Sequence, residues 1–101
     1  MNTANLQLEG LVMAMAEINR LLARKGIASR EDLGLALRRA EASLAGEDKS
    51  QELSPANRDA IAFPVRLLLL ANDWDPNEDL PDFGALAKMV GSSKQPYNDQ
   101  R

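Results

Sequence analysis

Residues 73–79, DWDPNED, set oxygen-bearing side chains at alternating positions: Asp73, Asp75, Asn77 and Asp79. A calcium loop presents oxygens at its first, third, fifth and seventh positions in the same way. The pattern then departs from that chemistry. Glu78 stands where the sharp turn requires glycine, Pro76 stiffens the loop, and Gly84 stands where a bidentate glutamate should close the shell. Motif matches this short arise easily by chance, so the segment reads first as a solvated acidic linker. A second pair, Asp59 and Arg66, falls two turns apart on one side of a helix. It offers either a paired ionic site in an apolar setting, or a polar strip at the helix surface or an ion pair to another helix, and the latter arrangements are the commoner.

Other chemistry is narrowed by what the chain lacks. Among its 101 residues there is no cysteine and no histidine. Disulfides, thiol catalysis and cysteine-bound zinc are excluded. So are the usual general base at neutral pH and the commonest metal ligand. Any catalysis would have to run on carboxylates, lysine, arginine, serine or the one tyrosine, and no cofactor or phosphate-binding motif is visible. The expectation is a protein that is not an enzyme and carries no cofactor or metal.

Basic residues gather in the first half. Arg20, Arg24, Lys25, Arg30, Arg38 and Arg39 supply six of the twelve lysines and arginines. Five of them, Arg20, Arg24, Arg30, Arg38 and Arg39, form a candidate basic patch. The run LLARKGIASREDLGLALRR also looks like a DNA-binding helix-turn-helix. A recognition helix contacts bases through its N-terminal residues, and here those include Glu31 and Asp32, which repel phosphates. The net charge of −3 likewise argues against nucleic acid. A solvated face laced with Arg–Glu pairs is favoured, and a nucleic-acid-associated regulator is kept as the alternative.

Four helices must position these groups. The first spans about residues 5–25, where Leu8, Leu11, Met15, Ile18 and Leu22 recur at three- and four-residue spacing to make one apolar face. Leu21 and Ala14 widen that face, and Met13, opposite it, is a candidate for a second contact. Gly26 ends the helix, with Arg24 and Lys25 in its last turn. Ser29 then caps a second helix, about 29–45, with Asp32 completing an approximate capping box. Its apolar positions are Leu33, Ala36, Leu37, Ala40 and Leu44. The short connection predicts an antiparallel helical hairpin.

Residues 46–53 read as a loop, and Ser54–Pro55 opens a third helix, about 55–72. Its core is AIAFPVRLLLLAN, apolar nearly all round except for the strip at Asp59 and Arg66, and a helix of that kind is buried. Pro64 predicts a kink or a break. A short fourth helix, about 81–90, opens at Pro81 with Asp82 in its first turn, uses Phe83, Leu86, Met89 and Val90, and stops at Gly91. Residues 1–91 thus form one all-α domain, and 92–101, nearly without apolar content, read as a disordered tail.

The run KGIASREDL, residues 25–33, resembles the N-terminal helical hairpin of nitrile hydratase subunits through its Lys-Gly-hydrophobic-x-Ser-x-Glu spacing. As a whole the chain resembles short all-α bacterial proteins. The nitrile hydratase resemblance implies a hairpin only. That family's metal is held by cysteines, which are absent here, so no functional residue carries over.

The third helix has more apolar girth than its neighbours are expected to cover. Phe63, Leu67, Leu69, Leu70 and Trp74 are therefore the candidate association surface. The reading is a protein-interaction or assembly module that self-associates, with a homodimer as the expected state. Met1 to Gly10 carries Glu9 and no basic stretch, so it is no signal peptide. The longest apolar run contains Arg66 and falls short of the ~20 residues a membrane span needs. A cytoplasmic protein without membrane attachment is expected.

Overall fold

The computed structural model describes residues 3–46 and 54–93, and among these it contains four helices and no strand. They are α1 (Thr3–Arg24), α2 (Arg30–Gly46), α3 (Pro55–Ala71) and α4 (Phe83–Ser93). The protein is an all-α four-helix domain. Segments 47–53 and 94–101, which include most of the expected tail, lie outside the described residues.

The helix ends follow local chemistry. Gly26 takes φ +70°, the left-handed conformation that a side chain disfavours. The N–H of Gly26 donates to the carbonyl of Ala23 at 3.1 Å, and that of Ile27 to Leu22 at 3.0 Å, the paired bonds of a Schellman motif. Ser29 Oγ then accepts the N–H of Asp32 at 3.0 Å and caps α2. Ser54 Oγ accepts the N–H of Asn57 at 3.2 Å, with Pro55 in the first turn of α3.

Three sequence expectations about the helices are corrected. The break at Pro64 does not occur, because α3 runs unbroken from Pro55 to Ala71. Proline leaves the carbonyl of Ala60 without its ladder donor, but Ala60 is exposed and water can serve it. Buried Ala62 before the proline and Leu67 and Leu68 after it anchor both halves in the interior. At α4, Asp82 is the cap rather than a first-turn residue, its Oδ1 accepting the N–H of Ala85 at 2.8 Å. Gly91 does not stop this helix, which continues to Ser93. A glycine costs a helix only about 1 kcal/mol, too little to end it alone.

Helix α3 lies at the centre, and α1, α2 and α4 each pack on it. Arg30 of α2 reaches Asn72, just past the end of α3, and Glu41 of α2 reaches Arg66 further back. Helix α2 therefore runs antiparallel to α3. The two arms of the N-terminal hairpin are held chiefly through α3 rather than by each other. The core joins Val12 and Ala16 of α1, Leu67, Leu68 and Ala71 of α3, and Leu86 and Val90 of α4. Phe63 and Phe83 meet edge-to-face, centroids 6.1 Å apart at 72°, and tie α3 to α4. From α2, Leu37 packs on this core, but no residue of α2 is fully buried.

The apolar face read from periodicity on α1 is not the face that meets the core. Val12, Ala16 and Arg20 are the buried residues, with Met13 packed beside them. Leu8, Leu11, Met15 and Ile18 are exposed.

Two substitutions test this account by urea unfolding. Leu67→Ala, at a fully buried position, should cost about 2–5 kcal/mol. Gly26→Ala should cost about 1–2 kcal/mol by backbone strain, because a Cβ there meets nothing within 4 Å.

Candidate interaction surface

Arg20 is the one charged residue in the described core, 8% exposed. Its guanidinium crosses from α1 to the segment after α3. It donates to the backbone carbonyls of Asp75 at 3.4 Å and Pro76 at 3.3 Å, and to that of Glu78. Arg24 donates to the carbonyl of Pro76 at 3.1 Å. Arg30 donates to the carbonyls of Asn72, at 3.1 Å, and Asp73, while Asn72 Nδ2 returns a bond to the carbonyl of Arg30 at 2.9 Å. Asn72 and Asp73 lie just past the C-terminus of α3, where the partial negative charge of the helix end favours a cation such as Arg30.

This arrangement redistributes two sequence motifs. In the basic patch, Arg20, Arg24 and Arg30 become a clasp on residues 72–78, while Arg38 and Arg39 are exposed on α2. In the acidic loop, the backbone carbonyls face the arginines. Asp75 Oδ1 turns back to accept the N–H of Asn77 at 2.8 Å. Among the described residues no three acidic side chains are placed together to hold a metal ion.

The Nε of Arg20 has a different environment from its two Nη atoms. It lies 3.4 Å from Glu17 Oε1 but makes no hydrogen bond. Beside it is a small cavity of about 10 Å³, bordered by Ala16, Asn19, Ala23 and Trp74, the size of one water molecule.

Asp59 and Arg66 do meet. Arg66 Nη1 donates to Asp59 Oδ1 at 3.0 Å, and Arg66 Nε donates to Glu41 Oε2 of α2 at 2.9 Å. The hydrogen bond to Glu41, then that to Asp59, hold the guanidinium pKa above the ordinary arginine value. The cation is therefore permanent at physiological pH, and the three groups make an ionic staple between α2 and α3.

The expected association surface on α3 is mostly enclosed. Leu67 is fully buried and cannot face a partner, which corrects its place in that surface. Phe63, Leu70 and Trp74 are half-buried and packed on the core, so Trp74 closes the core edge. Leu69 and Leu70 line a shallow open groove of about 830 Å³ with Leu35 and Arg38 of α2. The reason is coverage: α3 is flanked by three helices, more completely than their lengths suggest.

The open apolar surface is on α1. Leu11 is 66% exposed and Ile18 51%, and Leu8, Met15 and Leu21 are exposed around them. Helical geometry at 100° per residue places this stripe roughly 120° from the Val12–Ala16–Arg20 face. The sequence reading found the stripe and missed its destination. The signal that could have redirected it is Arg20, which shares a face with the small residues Ala16 and Ala23.

Among the described residues no helix is long and apolar enough to cross a membrane. Compared with protein-family models, curated proteins and solved structures, the chain matches none.

Arg20→Met should destabilise the fold by about 2–3 kcal/mol, since the charge-assisted bonds from a buried guanidinium to three backbone carbonyls are lost. It should also blue- or red-shift Trp74 emission, whereas Arg38→Met should change stability by less than about 0.5 kcal/mol. Arg66→Met should cost about 1 kcal/mol, discounted for a site about one third exposed. With its folded pKa raised, Arg66 contributes fully below its ordinary unfolded value and loses that contribution only as pH rises through the higher folded value. The difference between wild type and Arg66→Met should therefore hold constant between about pH 7 and about pH 10 in urea titrations.

Proposed function

We propose that this protein is a non-enzymatic interaction or assembly module that self-associates through an exposed apolar helix face. One observation carries the reading: Leu8, Leu11, Met15 and Ile18 stand in solvent at alternating three- and four-residue spacing. That spacing is the one by which helices seat against other helices. The face does not contribute to the domain's own core, so its apolar character is left without a role in the folded monomer. Exposed patches of more than a few hundred Å² are association sites far more often than accidents.

The area also suits a pair of copies. Five large side chains about half exposed offer roughly 500 Å² per copy, so pairing removes roughly 1,000 Å², near the lower bound of specific interfaces. The nucleic-acid alternative gains nothing comparable, since Arg20, Arg24 and Arg30 direct their donors to backbone carbonyls.

Multi-angle light scattering across a concentration series is the direct check, with a two-chain mass expected at high concentration. Leu11→Glu together with Ile18→Glu should return the particle to one chain, with far-UV circular dichroism unchanged because neither residue is in the core. A wild type of one-chain mass throughout the series would overturn the reading.

A further inference from the structure

From the face that the proposed function uses, and resting on that reading, we infer that the second copy docks antiparallel, α1 against α1, as a two-fold pair of helices. The register sets Leu11 opposite Met15 of the second copy and Leu8 opposite its Ile18. Three features of α1 select this arrangement.

The first is the seam itself. Leu8, Leu11, Met15, Ile18 and Leu22 alternate three and four residues apart, and in antiparallel pairs the two classes of seam position face each other. Matching the classes gives the layers Leu8–Ile18 and Leu11–Met15, each occurring twice about the two-fold axis. Leu22 then falls opposite Ala4 of the second copy. Every layer from Ala4 to Leu22 is apolar and none is left over.

The second is charge. The seam is flanked by Asn5, Val12 and Asn19 on one side and Gln7, Ala14 and Leu21 on the other, with no ionised group among them. Flanking charges therefore do not choose the orientation. The end of the seam does. Lys25 is the next seam position after Leu22, and Arg24 precedes it. A parallel pair in register brings both lysines together at one end, where both helix dipoles also align. An antiparallel pair separates the lysines to opposite ends and opposes the dipoles.

The third is the shape of the monomer. Thr3 to Leu8 are exposed on every side, so the first turns of α1 project past the body. The C-terminal half of α1 is the part that the rest of the domain braces, through Arg20 and Arg24. In the antiparallel register, residues 3–8 of each copy lie along residues 18–23 of the other, on that braced half. In a parallel pair the projecting turns would support only each other.

The chain has no cysteine, so introduced thiols report geometry without background. Full-length Leu11→Cys and a mass-tagged Met15→Cys are mixed and equilibrated in a glutathione redox buffer, and disulfide-linked species are separated by mass. A disulfide needs Cα atoms within roughly 7 Å, so the mixed species should exceed each like-with-like species by roughly tenfold. Leu8→Cys with tagged Ile18→Cys tests the same register at a second layer and keeps the result readable should one variant fold poorly.

Preferential linkage of Leu11→Cys to itself, and of Met15→Cys to itself, would mean a parallel pair and overturn the inference while leaving self-association intact. A two-chain particle that links in neither mixture, or that survives Leu11→Glu with Ile18→Glu, would place the interface off α1 and overturn it also. A wild type of one-chain mass in light scattering would instead remove the functional reading on which the inference rests.

Discussion

The orientation of α1 depends on Arg20. A guanidinium at 8% exposure must have its hydrogen bonds made inside the protein, and the acceptors in reach are the carbonyls of Asp75, Pro76 and Glu78. Those carbonyls belong to the segment that follows α3. Once Arg20 points inward, the rotation of α1 about its axis is set. Ala16 and Val12, one and two turns earlier, are carried into the core, and the leucine-rich stripe is carried out of it. The same contact holds residues 74–78 against the body and seats Trp74 at the core edge.

The rest of the domain is organised around α3. Its apolar circumference is divided among three neighbours, with Leu67 and Leu68 at the contacts and Phe63 meeting Phe83. The one polar strip falls where α2 passes, and there Arg66 joins Asp59 of its own helix to Glu41 of the other. Helix α2 has no fully buried residue, so its attachment combines Leu37 in partial burial with two polar contacts, Arg30 to Asn72 and Glu41 to Arg66. A polar hinge at each end and a modest apolar middle suit a helix with a broad exposed face.

Much of this was legible in order along the chain. Ser29, Ser54 and Gly26 act through bonds to residues a few positions away, and such bonds form wherever the local sequence appears. Spacing on one helix placed Asp59 and Arg66 on one side and favoured a surface strip or an ion pair to another helix over a direct pair. Both the direct pair and the inter-helix pair form, and the identity of Glu41 was not readable because it comes from another element. Pro64 and Gly91 were misread in the same direction. Local propensity argued for interruption, and packing or one further turn of hydrogen bonds outweighed a penalty of a few kcal/mol or less.

By itself the sequence determined that the chain is helical, where α2 and α3 begin, and that it holds a long apolar surplus on its helices. These follow from composition, period and caps, all of which act over short distances. The tertiary structure alone decided which apolar face is left over. Periodicity identifies a stripe but carries no information about what will cover it, and the more apolar stripe is the natural guess for the interior. In this protein the interior instead received Arg20 with its small neighbours, its guanidinium donating to the backbone carbonyls of the segment that follows α3. The surplus that the sequence placed on α3 therefore lies on α1.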